Sequence, residues 1–191
     1  MKMYIKEIYD QLEEWRDERD ITAKSQKAGY LVNVMEEFGE LSAALRLLEK
    51  SKIVNDSHEL KCAEHFIIDA ICDISVFTIN AGADIPCENK ISGIENNIFQ
   101  TYRTYETLLN ACGGYSIGFN AYAFNGVLRT CAVLCYKLGF NFQIAMDETI
   151  KEISSRTGAY DEKVKKWVKD TSNEARAKWH KADYEKARIE K

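Results

Sequence analysis

Val34-Met35-Glu36-Glu37-Phe38-Gly39-Glu40-Leu41-Ser42-Ala43-Ala44-Leu45, followed by Ile67-Ile68-Asp69-Ala70-Ile71-Cys72-Asp73-Ile74-Ser75-Val76-Phe77-Thr78-Ile79-Asn80, is the pair of segments on which the reading turns. Both are apolar and patterned for helix, and both carry acids. Buried carboxylates are costly unless something positive meets them. At about 100° per residue, Glu36, Glu37 and Glu40 share one sector of their helix, with Asn33 alongside. Asp69 and Asp73 lie one turn apart on the next helix, and Asn80 falls near the same line. If the two helices pack antiparallel, the five acids converge. Glu36-Glu37-x-x-Glu40 alone reads as a solvated face. The aliphatic setting of Asp69 and Asp73 shifts the reading toward a bound divalent cation. Mg²⁺, with Mn²⁺ as the alternative, suits carboxylates that share a metal with phosphate and water.

The remaining segments extend this helical pattern. Ile5, Ile8, Tyr9, Leu12 and Trp15 recur at helical spacing within 3–20. Thr22 or Ser25 can cap a second helix over 24–50, and a third is expected over 58–81, closed by Gly82 to Pro86. Residues 51–57 read as the connection. Ile91 to Leu109 has helical character that Ala111-Cys112-Gly113-Gly114 is expected to break. Further helices are expected over 119–138 and 143–154, followed by a charged, partly helical tail over 161–191. No strand-type alternation persists. The fold class is therefore all-α, a helical bundle in a single domain spanning 1–191, with a divergent or inserted segment at about 87–120.

Composition narrows the function. Hydrophobic residues at 46% supply a core, and charged residues at 29% do not suggest disorder. A net charge of −4 gives no footprint for nucleic acid. The tail from Asp161 holds ten Lys/Arg against seven Asp/Glu, so the body is the more acidic part. The six cysteines show no CxxC pair and no zinc-like spacing, which favours a reducing cytoplasm. The amphipathic N-terminus is not a signal peptide, and the uncharged stretch 107–128 is a poor membrane span, so no membrane partner is expected. His65 reads as a satisfied or exposed histidine. Tyr115, Phe119, Tyr122 and Phe124 read as base-stacking residues or, more simply, as core or subunit interface.

The two acidic motifs, with the later segment Glu152-Ile153-Ser154-Ser155-Arg156-Thr157-Gly158 and its continuation to Asp170, resemble the all-α nucleoside triphosphate pyrophosphohydrolases of the MazG-like superfamily. The resemblance spans roughly residues 20–85 and 130–170. It departs from the common pattern in placing acids at 69 and 73, four apart, in having Cys72 where glycine is frequent, and in having Asn33 where lysine is frequent. It implies hydrolysis of a (deoxy)nucleoside triphosphate between the α and β phosphates, with release of pyrophosphate. It also implies Glu37, Glu40, Asp69 and Asp73 as metal ligands. Glu36, with Glu37, then orients or deprotonates the attacking water, or Glu36 makes a further metal contact. Arg156, Lys165, Lys166 and Lys169 are candidate phosphate contacts, although each also reads as ordinary surface charge. Asn33 and Asn80 are candidates for base or sugar, or plain helix-face residues. The family completes its four-helix core by pairing subunits, so a homodimer or a dimer of dimers is expected. The readings from other classes are a non-catalytic helical nucleotide-binding or regulatory protein and a structural helical dimer with solvated acids.

Overall fold

A computed structural model describes residues 5–85, 104–161, 163 and 166–190. The described chain is mostly helical: α1 (Ile5–Asp17), α2 (Ala23–Val54), α3 (Ser57–Ala81), α4 (Tyr105–Gly118), α5 (Ala121–Lys137), α6 (Phe142–Ser155) and the one-turn α7 (Asn173–Arg176). A short antiparallel hairpin, β1 (Gly158–Asp161) with β2 (Lys166–Lys169), pairs Gly158 with Lys169 and Asp161 with Lys166. A 3-10 turn follows at Tyr184–Ala187.

Side-chain caps set most of the helix starts. The Thr22 hydroxyl accepts from the Ser25 N–H at the start of α2, and Asp56 accepts from His58 and Glu59 at the start of α3. Thr104 and Thr107 form a reciprocal capping box on α4, while Asn120 and Asn141 cap α5 and α6. Each cap gives a partner to N–H groups that a helix start leaves unpaired.

Only Asn55 and Asp56 separate α2 from α3. Asn55 takes the left-handed conformation (φ 55°), which asparagine tolerates, and its N–H returns to Ser51 O. So short a link folds the two helices back on each other. Lys50 meets Glu59 beside the turn, Tyr30 Oη meets Thr78 Oγ1 at 3.1 Å, and Lys27 meets Asp84 at the far end at 2.6 Å. The register is therefore antiparallel along the whole pair. α3 is buried on nearly all sides, from Ala63 to Ala81, and packs on α1, α2, α5 and α6 within a single chain. Gly82 ends it in a tight seat: a Cβ there would lie 2.7 Å from the Phe124 ring and 2.8 Å from Tyr115 Oη.

Three sequence expectations are corrected. First, α2 does not stop near Lys50. Ser51 is buried and its hydroxyl bonds back to Leu47 O at 2.7 Å, so the helix runs to Val54 before turning. Second, Gly113 and Gly114 do not break α4. Leu108, Cys112 and Tyr115 bury one face of the helix, while nothing lies within 4 Å of a Cβ built on either glycine. Burial on that face outweighs a glycine cost of about 1 kcal/mol each. Third, the tail contains the β-hairpin, whose four-residue strands are too short to show alternation. The expected helical character over 91–103, together with Pro86 and Cys87, lies outside the described residues. Cys72, Cys112, Cys131 and Cys135 are buried free thiols, and Tyr115 and Phe124 are core. No helix among the described residues is long and apolar enough to cross a membrane.

After α7 the chain returns as a strap along α6 and over α3. Asn141 N–H donates to Ala187 O at 2.6 Å and Ile189 N–H to Gly139 O at 2.8 Å. Arg188 stacks on Phe140 and bridges Glu64 and Glu185. The anchor is Glu148, 1% exposed. It accepts from Lys151 at 2.7 Å, His180 at 3.1 Å and the Asp183 N–H at 3.2 Å, with Lys186 close by. Burial alone would raise its pKa. These hydrogen bonds outweigh burial and hold it at about 2. Glu148→Ala leaves His180 and the strap N–H without their acceptor. It should cost about 3 kcal/mol in denaturant melts and open the segment after 170 to limited proteolysis.

Candidate functional site

The antiparallel register brings the two acidic clusters together. Glu40 and Asp69 line one side of the α2/α3 groove with Ala43, Ala44, Leu47 and Phe66, around a hollow of about 280 Å³. One turn away, Glu37 faces Asp73, and its other acidic neighbours are Glu40, Asp69 and Glu36. Glu36 and Glu40 are exposed, whereas Glu37, Asp69 and Asp73 are half-buried. Glu37 and Asp73 have no hydrogen bond or ion pair among the described residues.

Burial first, then repulsion from Asp73, Glu40, Asp69 and Glu36, pushes Glu37 up to about 8. Burial and the neighbouring Asp69 push Asp73 up to about 7, against an opposing pull from Arg156. Asp69 is raised by burial, with partial relief from a hydrogen bond donated by Tyr184. These are the signatures of carboxylates crowded together with too little positive charge.

The opposite wall comes from α6 and the hairpin. Glu152, on α6, and Arg156, just past its end, are paired at 2.6 Å, and both act electrostatically on Asp73. Lys169, on β2, is pulled below its ordinary pKa by desolvation and then by Arg156, while Asp73 pulls the other way. Beside Asp73 lies a cavity of about 200 Å³ whose aromatic walls are Trp15, Phe77 and Trp167 and whose polar lining includes Asn80, Arg156 and Lys169. Arg19 clamps this end of the molecule by sitting over Trp15 at 5.0 Å and Trp167 at 5.3 Å.

Most of the residues singled out in sequence therefore meet. Glu36, Glu37, Glu40, Asp69 and Asp73 form one electrostatic cluster, and Asn80, Arg156 and Lys169 line the adjoining cavity. Asn80 is buried, and its Oδ1 accepts from Arg16 Nη1 at 2.9 Å, so that oxygen has a structural duty. Asn33 is half-buried one turn before Glu37, with no hydrogen bond among the described residues. Lys166 lies at the far end of β2, where only its backbone is described, and Lys165 lies outside the described residues. His65 is satisfied by Glu185 at 2.8 Å. Tyr122 is 91% exposed and faces away from the core.

Glu152, Trp15 and Trp167 were not among the residues chosen from sequence. Glu152 had a local signal, an acid four residues before Arg156 on a helix face. The tryptophans had none, because they reach one cavity from opposite ends of the chain.

The donors in the groove are oxygen only, as a hard divalent cation requires. Among the described residues no three His, Cys, Asp or Glu side chains already stand close enough to clasp a metal ion. The acids face one another across the groove, and one oxygen of Asp69 is engaged by Tyr184. What the fold defines at this level is an all-α protein with an under-neutralised acidic groove beside a cationic, aromatic-walled cavity. Compared with protein-family models, curated proteins and solved structures, the chain matches none.

A carboxyl whose folded pKa lies above its unfolded value favours the folded state while protonated and loses that contribution as pH rises through the folded value. For Glu37 the window runs from its ordinary 4.5 to about 8. Without divalent cations, Tm should therefore fall as pH rises across this range, and Glu37→Gln should flatten the fall. A slope unchanged in Glu37→Gln would mean that Glu37 is not what titrates.

Proposed function

We propose that this chain is a divalent-cation-dependent pyrophosphohydrolase of MazG-like type, acting on (deoxy)nucleoside triphosphates in nucleotide-pool clearance. The observation that supports it most is the meeting of Glu37 and Glu40 with Asp69 and Asp73, next to the cavity lined by Arg156 and Lys169. Glu37, Glu40, Asp69 and Asp73 are the proposed ligands. Held by them, Mg²⁺ or Mn²⁺ would neutralise carboxylate and phosphate charge and supply Lewis acidity for the attack of water.

Around that charge the chain's own groups divide the work. Arg156 and Lys169 meet phosphate oxygens with positive charge and N–H donors. The indoles of Trp15 and Trp167, with Phe77, offer flat apolar faces for a base. Glu36 and Glu37 orient a water toward the α-phosphorus and accept its proton. The water oxygen bonds to phosphorus as the α–β bridging P–O bond breaks, and pyrophosphate leaves with the bridging oxygen and its electron pair.

A second copy of the chain is the proposed partner. α2 exposes Leu31, Val32 and Met35, at 51%, 63% and 55%, a large apolar patch on the helix that also carries the glutamates. The buried free thiols favour the cytoplasm as the compartment. A second reading is a non-catalytic nucleotide-binding protein, favoured by the engagement of Arg156 with Glu152 rather than with open solvent.

Pyrophosphate release across a panel of ordinary and modified nucleoside triphosphates with Mg²⁺ tests the assignment. Turnover of at least one is expected, and Glu37→Ala, Glu40→Ala and Asp73→Ala should each abolish it with helical content retained. Near-normal activity in all three variants overturns it, and nucleotide binding without turnover selects the second reading. Separately, Leu31→Glu with Met35→Glu should convert a dimer to a monomer in light scattering. An unchanged mass would remove α2 from the interface.

A further inference from the structure

The strap and the acidic groove touch at one point that the proposed chemistry has not used. Tyr184 Oη donates to Asp69 Oδ1 at 2.6 Å, across 115 residues of sequence. The same phenol lies 3.0 Å from Thr149 Oγ1, and Thr149 is 2% exposed with its hydroxyl also 3.0 Å from Ala145 O. Tyr184 itself is 4% exposed. A tyrosine hydroxyl has one proton, and an ionised carboxylate only accepts. Tyr184 therefore gives its proton to Asp69, and the Thr149 hydroxyl, which donates to Ala145 O, packs against the phenol oxygen from the other side, so that α6, the strap and α3 are joined.

The strap is held in place for this contact by a ladder on α6. The His180 N–H donates to Ser155 Oγ at 2.8 Å, the Ala182 N–H to Glu152 Oε2 at 2.9 Å and the Asp183 N–H to Glu148 Oε2 at 3.2 Å. The acceptors at 155, 152 and 148 follow the helical repeat, so the strap runs along one face of α6 and brings Tyr184 onto Asp69. Glu152 then has both oxygens occupied, one by the strap and one by Arg156. It is a brace for Arg156 rather than a spare acid.

We infer that Tyr184 is a positioning residue: it fixes the rotamer of Asp69 and reserves Oδ2 for a divalent cation in the α2/α3 groove. The inference rests on the metal-dependent reading above. Carboxylate ligands are themselves commonly hydrogen-bonded, and loss of such a partner typically lowers metal affinity about 10- to 100-fold. A phenylalanine at 184 keeps the ring in its buried seat and removes only the donor.

The test is Mn²⁺ binding to the full chain, followed by electron paramagnetic resonance and calorimetry below the melting temperature. Tyr184→Phe should bind Mn²⁺ about tenfold or more weakly than wild type while its near-ultraviolet circular dichroism is retained. In turnover it should lower kcat and leave nucleotide KM within about twofold. Thr149→Val, which removes the second link of the chain, should weaken Mn²⁺ in the same direction and carries the test if Tyr184→Phe does not fold. Wild-type Mn²⁺ affinity in a folded Tyr184→Phe, or in Thr149→Val where that variant carries the test, overturns the inference and leaves the proposed function standing. No Mn²⁺ binding by the wild-type chain overturns both.

Discussion

A helix that is apolar on almost every side must be sheathed, and α3 is such a helix. From Ala63 to Ala81 its buried positions circle the axis, and α1, α2, α5 and α6 close around it. That demand places the other elements. The two-residue link at Asn55 and Asp56 lays α2 antiparallel on one flank, and α6 takes another. Asp69 and Asp73 sit on this same rod, so any sheath must open a groove beside them or bury them without relief. The groove between α2 and α3, faced by α6 and β2, is the solution adopted.

The molecule holds one buried carboxylate and a pair of half-buried ones, and their contrast is instructive. Glu148 is enclosed by Lys151, His180 and a backbone N–H, and its charge is held firmly. Glu37 and Asp73 are enclosed by apolar surface and by each other, and their charges are resisted. The first arrangement ties down a strap. The second is a store of unmet demand for positive charge, and its natural complement is something that arrives from solution. The same physics, read with opposite sign, separates an acid that holds the structure from acids available for chemistry.

Much of this was legible from residue order. The spacing of Glu36, Glu37 and Glu40, and of Asp69 and Asp73, marks a shared face wherever those segments are helical, and α2 and α3 are helical there. Thr22 and the apolar run of α3 are equally local signals. Legibility failed where a long-range contact outweighed local preference. Ser51 reads as a loop residue until Leu47 O accepts its hydroxyl in a buried setting. Gly113 and Gly114 read as a break until Leu108, Cys112 and Tyr115 find a core. The tail was hardest, because Tyr184 and Trp167 take their roles from partners far away in sequence, and no local period encodes such partners.

The order in which the groove's parts occur along the chain has its own consequence. Its acids lie between residues 36 and 73, whereas Glu152, Arg156, Lys169 and Tyr184 come only after residue 150. During translation the negative half of the groove is complete long before its counterweight leaves the ribosome. A nascent chain at that stage exposes five acids with nothing to hold Asp69 or to face Asp73. Assembly of the groove is thus tied to synthesis of the residues after 150, which makes the strap a late-arriving lock on the groove as well as a structural brace.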